Sequence, residues 1–263
     1  MFEAPHPRVV AAMQRHAIES YPRESCGLLI DGVYMPCANI HPTPEKDFQI
    51  DATTWNASFL AGQVQALVHS HPGGPDHPTK TDMEQQIATA LPWGILCTDG
   101  QVAGKPFWFG DQAPVPPLDK RSFRHGVTDC YALIRDWYRL RRGVTLQDFP
   151  RNWEWWLPQR KEDGTLGEPL NLYKDGFAAA GFVEISGEER REGDVFLAEI
   201  RTRDMERAGM KPGTPNHGGI YLGRDLALHH LTARMPVDPT RLAEETPIGR
   251  YRNHITYWLR YVG

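Results

Sequence analysis

Cysteine is scarce in this 263-residue chain: Cys26, Cys37, Cys97 and Cys130 are the only four, and no two form a Cys-x-x-Cys pair. That argues against a cysteine-built zinc site or a disulfide framework. No apolar run approaches the ~20 residues needed to cross a bilayer. The start Met-Phe-Glu-Ala-Pro-His has neither a basic region nor an apolar core, so no secretory signal is visible and reduced thiols are expected. On that reading the protein leaves a cell only within an assembly or by lysis. No short stretch is dense in Lys or Arg and the net charge is −4, so no nucleic-acid contact is expected. Internal repeats are also missing. What is present, 40% apolar and 24% charged residues, fits a soluble globular protein with a sizeable core.

The informative stretch is His69-Ser70-His71-Pro72 followed by Pro78-Thr79-Lys80-Thr81-Asp82. Val64 to Val68 is β-branched and apolar and reads as a buried strand with the histidines at its carboxyl end. Strand alternation points His69 and His71 to one side. A helix begins near Thr79 with Asp82 in its first turn. Two imidazoles and a carboxylate then converge, and three protein ligands with a fourth position left for water is how a catalytic zinc is held. Thr79 and Asp82 equally fit a plain helix cap.

Helical spacing covers Pro7–Ser20, Thr53–Leu60 and Thr81–Ala90; strands are expected at Glu24–Ile30, Val33–Met35, Phe48–Ile50, Gly94–Cys97 and Phe107–Phe109. Helices flanking a mixed sheet make an α/β or α+β unit. Composition changes at the proline-rich stretch 111–122, which reads as a semi-rigid linker and domain boundary.

The second half opens on Asp129-Cys130 at the start of an amphipathic helix, where free N–H groups and the dipole favour a thiolate. Cys26, Cys37 and Cys97 read as core residues. Pro169–Ala180 is expected to be a second helix. Trp153, Trp155 and Trp156 form either a core cluster, the simpler reading, or a stacking platform. His217–Gly223 and Leu226–Leu231 make a hairpin turning at Arg224-Asp225, with His217 and His229 near opposite each other; His254–Tyr261 closes the sheet. Cys130 as nucleophile, His217 as base and His229 as the group orienting it form a cysteine-peptidase arrangement, with His230 as a substitute for His229.

The first constellation resembles the JAMM (Mov34/MPN-type) metallopeptidase motif, carried by His69, His71, Thr79 and Asp82, with Glu24 in an upstream Glu-x-Cys-Gly-Leu-Leu-like strand. The resemblance implies zinc on His69, His71 and Asp82, Glu24 as the base for bound water and Thr79 as oxyanion stabiliser. The second resembles NlpC/P60-type cysteine peptidases through Asp129-Cys130, Gly193-Asp194, His217-Gly218-Gly219-Ile220-Tyr221-Leu222-Gly223 and His229. That family's upstream tyrosine has no counterpart, since Phe123-Arg124-His125 takes its place.

The expected architecture is α+β with two domains. Residues 1–110 are a JAMM/MPN-like mixed sheet flanked by helices, 111–122 the linker, and 123–263 a papain-like NlpC/P60 domain with a helix packed on an antiparallel sheet. The domain order resembles the K-like tail-tip assembly proteins of lambda-type siphophages. That resemblance implies a virion tail-tip location after synthesis in the host cytoplasm, and partners including the tail hub and a β-grasp-containing tail protein. It implies a zinc (iso)peptidase and a peptidoglycan endopeptidase, cutting at a D-glutamyl–diamino-acid bond, used in tail assembly or cell-wall penetration. The alternatives are a structural tail-tip component with vestigial or shielded sites, and a free bacterial cell-wall or deconjugating hydrolase.

Overall fold

The β-branched run around the histidines forms the centre of a sheet. In the computed structural model, which describes residues 2–110, 112–161 and 163–263, the chain divides into two compact units between Val115 and Pro116. Asp111, first residue of the proline-rich stretch, lies outside the described residues, as do Met1 and Glu162.

The first unit runs α1 (Pro7–Ser20), β1 (Cys26–Ile30), β2 (Val33–Cys37), α2 (Ala52–Ala61), β3 (Val64–Pro72), α3 (Lys80–Thr89), β4 (Trp93–Thr98) and β5 (Phe107–Phe109). The sheet order is β2-β1-β3-β4-β5, and only β3 and β4 pair in parallel, so the sheet is mixed. Period-two alternation sorts β3 into two faces. Ala66 and Val68 pack with Leu29, Leu96 and Met13 of α1 on one face. His69 and His71 take the other, beside Phe48 and Trp93. Phe48-Gln49-Ile50 is not the strand its composition suggests. Phe48 is buried, with its ring stacked on His69 at 4.6 Å, and Gln49 accepts the Ile40 N–H while donating its own to the Asn39 side chain rather than to a strand ladder.

The second unit contains β6 (Ser122–Arg124), α4 (Cys130–Arg142), α5 (Leu172–Gly176), β7 (Phe182–Ile185), β8 (Val195–Ala198), α6 (Arg203–Arg207), β9 (His217–Gly223), β10 (Leu226–His229), β11 (Val237–Leu242), β12 (Glu244–Pro247) and β13 (Ile255–Tyr261). Six strands in the order β12-β10-β9-β8-β13-β7 form an antiparallel sheet. Leu133, Ile134 and Trp137 of α4 cover one face through Leu197, Ile220 and Leu259. Gly218 makes the approach possible, because a Cβ there would stand 3.2 Å from Ile134 and Leu197 side chains. The later part of the proline-rich stretch lies within this unit: Leu118 packs on its core, Lys120 N–H donates to Ala243, and β6 pairs with β11. The helix expected over Pro169–Ala180 shortens to α5, because Leu170 N–H is drawn to the Trp155 carbonyl and the chain before it stays extended.

Candidate active sites

In the first unit, β3 and the start of α3 bring three donors together. His69 Nε2 lies 3.1 Å from His71 Nε2, and Asp82 oxygens lie 3.2 and 3.3 Å from the two imidazoles. Ligands at ~2.0–2.1 Å around a tetrahedral ion stand about 3.3 Å apart, so these spacings match three corners of such a site. Asp82 serves two purposes at once. Its Oδ2 accepts the Thr79 N–H and hydroxyl, both at 2.7 Å, as the carboxylate of a capping box, while Oδ1 faces His69. The His71 Nδ1 proton goes to the Pro75 carbonyl at 2.7 Å, which fixes the ring with Nε2 toward the cluster. Burial pushes the Asp82 carboxyl up, but His69 and His71 outweigh it and hold it well below the ordinary range. The result is a buried cluster of lone pairs and negative charge, whose chemistry fits a divalent cation.

Glu24 reaches the same face by register. Cys26 pairs with His69, and Ser25 N–H donates to Ser70 Oγ, so continuing the ladder by two residues sets Glu24 opposite His71. Burial raises its pKa to about 8; the His71 charge opposes this, and Asp82 and Asp47 add to it. Thr79, by contrast, spends its hydroxyl proton on Asp82 and accepts the Asp82 N–H, so as placed it orients that carboxylate.

In the second unit, Asp129 caps α4 through the Ala132 N–H and puts Cys130 at the first helical position. Cys130 and His217 line one cavity of about 110 Å³ together with Tyr173, Arg151 and the Trp153, Trp155 and Trp156 rings. The sulfur's hydrogen bond goes to the Tyr173 hydroxyl at 3.2 Å rather than to His217. The expected thiolate is corrected by the structure. Burial, with the Asp129 carboxylate beside it, pushes the Cys130 pKa up to about 11, against the pull of Tyr173, Arg151 and the Gly218 N–H. Here the helix N-terminus does not offset partial burial beside an anion.

His217 and His229 meet edge to face with ring centroids 5.3 Å apart. They are diagonal neighbours rather than opposite ones, since His229 pairs with Gly219. A bulge makes this possible: Leu226 pairs with Gly223 but Ala227 with Tyr221, and the extra residue, Leu222, slips β10 by one. Without that slip His229 would turn to the opposite face. His229 Nε2 lies 3.3 Å from the Tyr251 hydroxyl, leaving Nδ1 buried and unpartnered, like Nε2 of His217. His230 lines the Cys130 cavity, its ring nitrogens facing the Thr128 and Arg241 carbonyls at 2.7 and 3.0 Å.

Comparison with known proteins agrees with this architecture. The family of prokaryotic homologs of the JAB domain matches residues 6–109, and the NlpC/P60 family matches residues 104–255. The tail tip assembly protein K of Escherichia phage lambda is 34% identical over 69% of this chain and 76% of its own length. The chain belongs to the tail tip assembly protein K family. The protein K of Escherichia phage N15 is 29% identical over 93% of this chain and 90% of its own. An NlpC/P60 family protein from Bacillus cereus is a more distant structural likeness, with a TM-score of 0.32 at 14% identity over 95% of this chain and 66% of that one.

Two residues of this K-family site escape a reading of the sequence. Tyr173 comes from α5, 43 positions beyond Cys130, and no spacing rule signals it. Arg151 comes from the irregular stretch between α4 and α5 and pairs with Asp129 at 2.7 Å in the interior. Among the described residues no helix is long and apolar enough to cross a membrane.

The buried histidines also set a pH dependence. Burial, with the His230 and Arg250 charges, lowers the His229 pKa to about 4, below the ~6.5 of an unfolded chain. Between those values the unfolded chain binds the extra proton. This part of the stability is therefore complete above about pH 6.5 and drains away toward pH 4, by up to roughly 3 kcal/mol. Urea midpoints read by tryptophan fluorescence should fall more steeply from pH 7 to 5 in wild type than in a His229→Gln variant. Equal slopes would remove His229 as the cause.

Proposed function

We propose that this member of the K family carries two hydrolytic sites used at the tip of a phage tail. The observation that carries the reading is that Cys130 and His217 line one cavity inside the NlpC/P60 match, with His229 edge to face behind His217. Cys130 attacks a peptide carbonyl, His217 takes the thiol proton and returns it to the leaving amine, and His229, edge to face against it, holds His217 in place. Burial depresses the His217 pKa while that of Cys130 is raised, so the resting pair is neutral. The thiol swings from Tyr173 to His217 when substrate enters, which frees the Tyr173 hydroxyl to donate to the carbonyl oxygen. The substrate class is the short peptide of bacterial peptidoglycan, cut at a D-glutamyl–diamino-acid bond.

In the first unit His69, His71 and Asp82 would hold zinc, which supplies Lewis acidity. Glu24 is the proton carrier on that face, and Thr79 keeps Asp82 aimed, giving a zinc (iso)peptidase site. The domains fall at 1–110 and 123–263 with 111–122 between them. The protein is made in the host cytoplasm, enters the virion tail, and meets other tail-tip proteins, including the hub and a β-grasp-containing protein.

Purified full chain should release soluble peptides from isolated peptidoglycan, detected by mass spectrometry, whether or not a zinc chelator is present. No release would overturn the peptidase reading and leave a structural tail component. Metal analysis should give about one zinc per chain, lost in His71→Ala. Equal metal in both proteins would remove the assignment of the first site.

A further inference from the structure

Ile200 and Leu231 line the Cys130 cavity and also a second, open groove of about 620 Å³. Around that groove stand Lys120, Arg241, Arg250 and His254, against a single carboxylate, Glu244. The whole chain is net negative, so this local excess runs against the composition. The pairing pattern sharpens it. Arg121, Arg151, Arg234 and Arg260 of the same unit each hold a carboxylate within 3.2 Å. Among the described residues, Lys120, Arg241 and Arg250 have none within ion-pair distance.

The groove is also joined to the candidate catalytic residues. Tyr251 in its wall bonds His229, and the edge-to-face contact of His229 with His217 continues the connection to the Cys130 cavity. A ligand lying across Ile200 and Leu231 would thus have one end at the sulfur and the other among the free cations. Guanidinium groups grip carboxylates through paired N–H donors, and unpaired cations beside a cleft draw anions toward it.

We infer that the groove of Lys120, Arg241, Arg250 and His254 is a carboxylate-binding subsite, selecting peptides with free acid groups a short distance from the bond cut at Cys130. This rests on the peptidase reading of Cys130 and adds the chemistry that chooses its substrate.

The test uses a synthetic γ-D-glutamyl tripeptide with free carboxylates and the same peptide with those groups amidated. Full-length wild type should favour the free acid in kcat/KM by about tenfold, the worth of one charge-assisted contact. R241Q/R250Q, both exposed positions, should lower that preference to about one while its urea midpoint stays that of wild type. Hydrolysis of both peptides at equal kcat/KM by wild type would overturn the subsite and leave the peptidase intact. Calorimetric titration of Cys130→Ala separates the two proposals further. If wild type cuts neither peptide, tighter binding of the free acid that R241Q/R250Q abolishes upholds the groove and removes the peptidase, whereas equal binding of both peptides removes the groove as well.

Discussion

Cys130→Ala should lower peptide release by a factor on the order of 10⁴ to 10⁶, the loss expected when a triad nucleophile is removed and only binding remains. Zinc content should not change, since the ligands lie in the other unit. Tyr173→Phe gives a finer measurement. Its hydroxyl is 3.2 Å from the sulfur, so if it serves the carbonyl oxygen, kcat should fall by about 10²-fold. An unchanged or faster Tyr173→Phe would make the hydroxyl a restraint on the thiol instead. The pH profile checks the neutral-pair arrangement. Because burial and the neighbouring histidines hold His217 well below its ordinary pKa, the base is already neutral at pH 6.5. The rate should therefore show no acid limb near that value, and a limb at or above it would contradict a buried, neutral His217.

Arg151→Ala should destabilise the second unit by about 3–5 kcal/mol, the usual consequence of removing one member of a buried ion pair. Asp129 is 3% exposed and is held by the Gly126 and Ala132 N–H groups and by Arg151 at 2.7 Å. Arg151 further bonds Asp148 and the Phe149 carbonyl and lies over the Tyr131 ring. Without it a carboxylate remains in the interior at the start of α4, directly before Cys130. Denaturant titration by tryptophan fluorescence measures the loss, and Asp129→Asn combined with Arg151→Met should recover part of it, because no lone charge is then left inside. A midpoint change worth less than ~1 kcal/mol would mean water reaches the pair.

The legible parts of this chain are the ones whose physics is local. His69 and His71 share a face because strands alternate, and Asp82 follows Thr79 at cap spacing; both survive in the fold. Core strands with apolar runs, such as Val195–Ala198 and His217–Gly223, are legible for the same reason. The β11 and β12 strands are not: Val-Asp-Pro-Thr-Arg-Leu and Glu-Glu-Thr-Pro are polar and proline-bearing, and β12 lies at a sheet edge, where the usual apolar pattern is not required. Which face His229 takes is illegible for a different reason. It depends on one extra residue in a ladder, and a bulge at Leu222 has no sequence signature. Tyr173 on the short α5 and Arg151 on the irregular stretch before it meet Cys130 and Asp129 through long-range closure, which periodicity does not encode.

The uncharged sulfur has a consequence for durability. Peroxides and electrophiles react with thiolates, so a half-buried thiol of raised pKa ages slowly. On the proposed reading, a tail tip carrying this protein would keep that thiol chemically intact until its use.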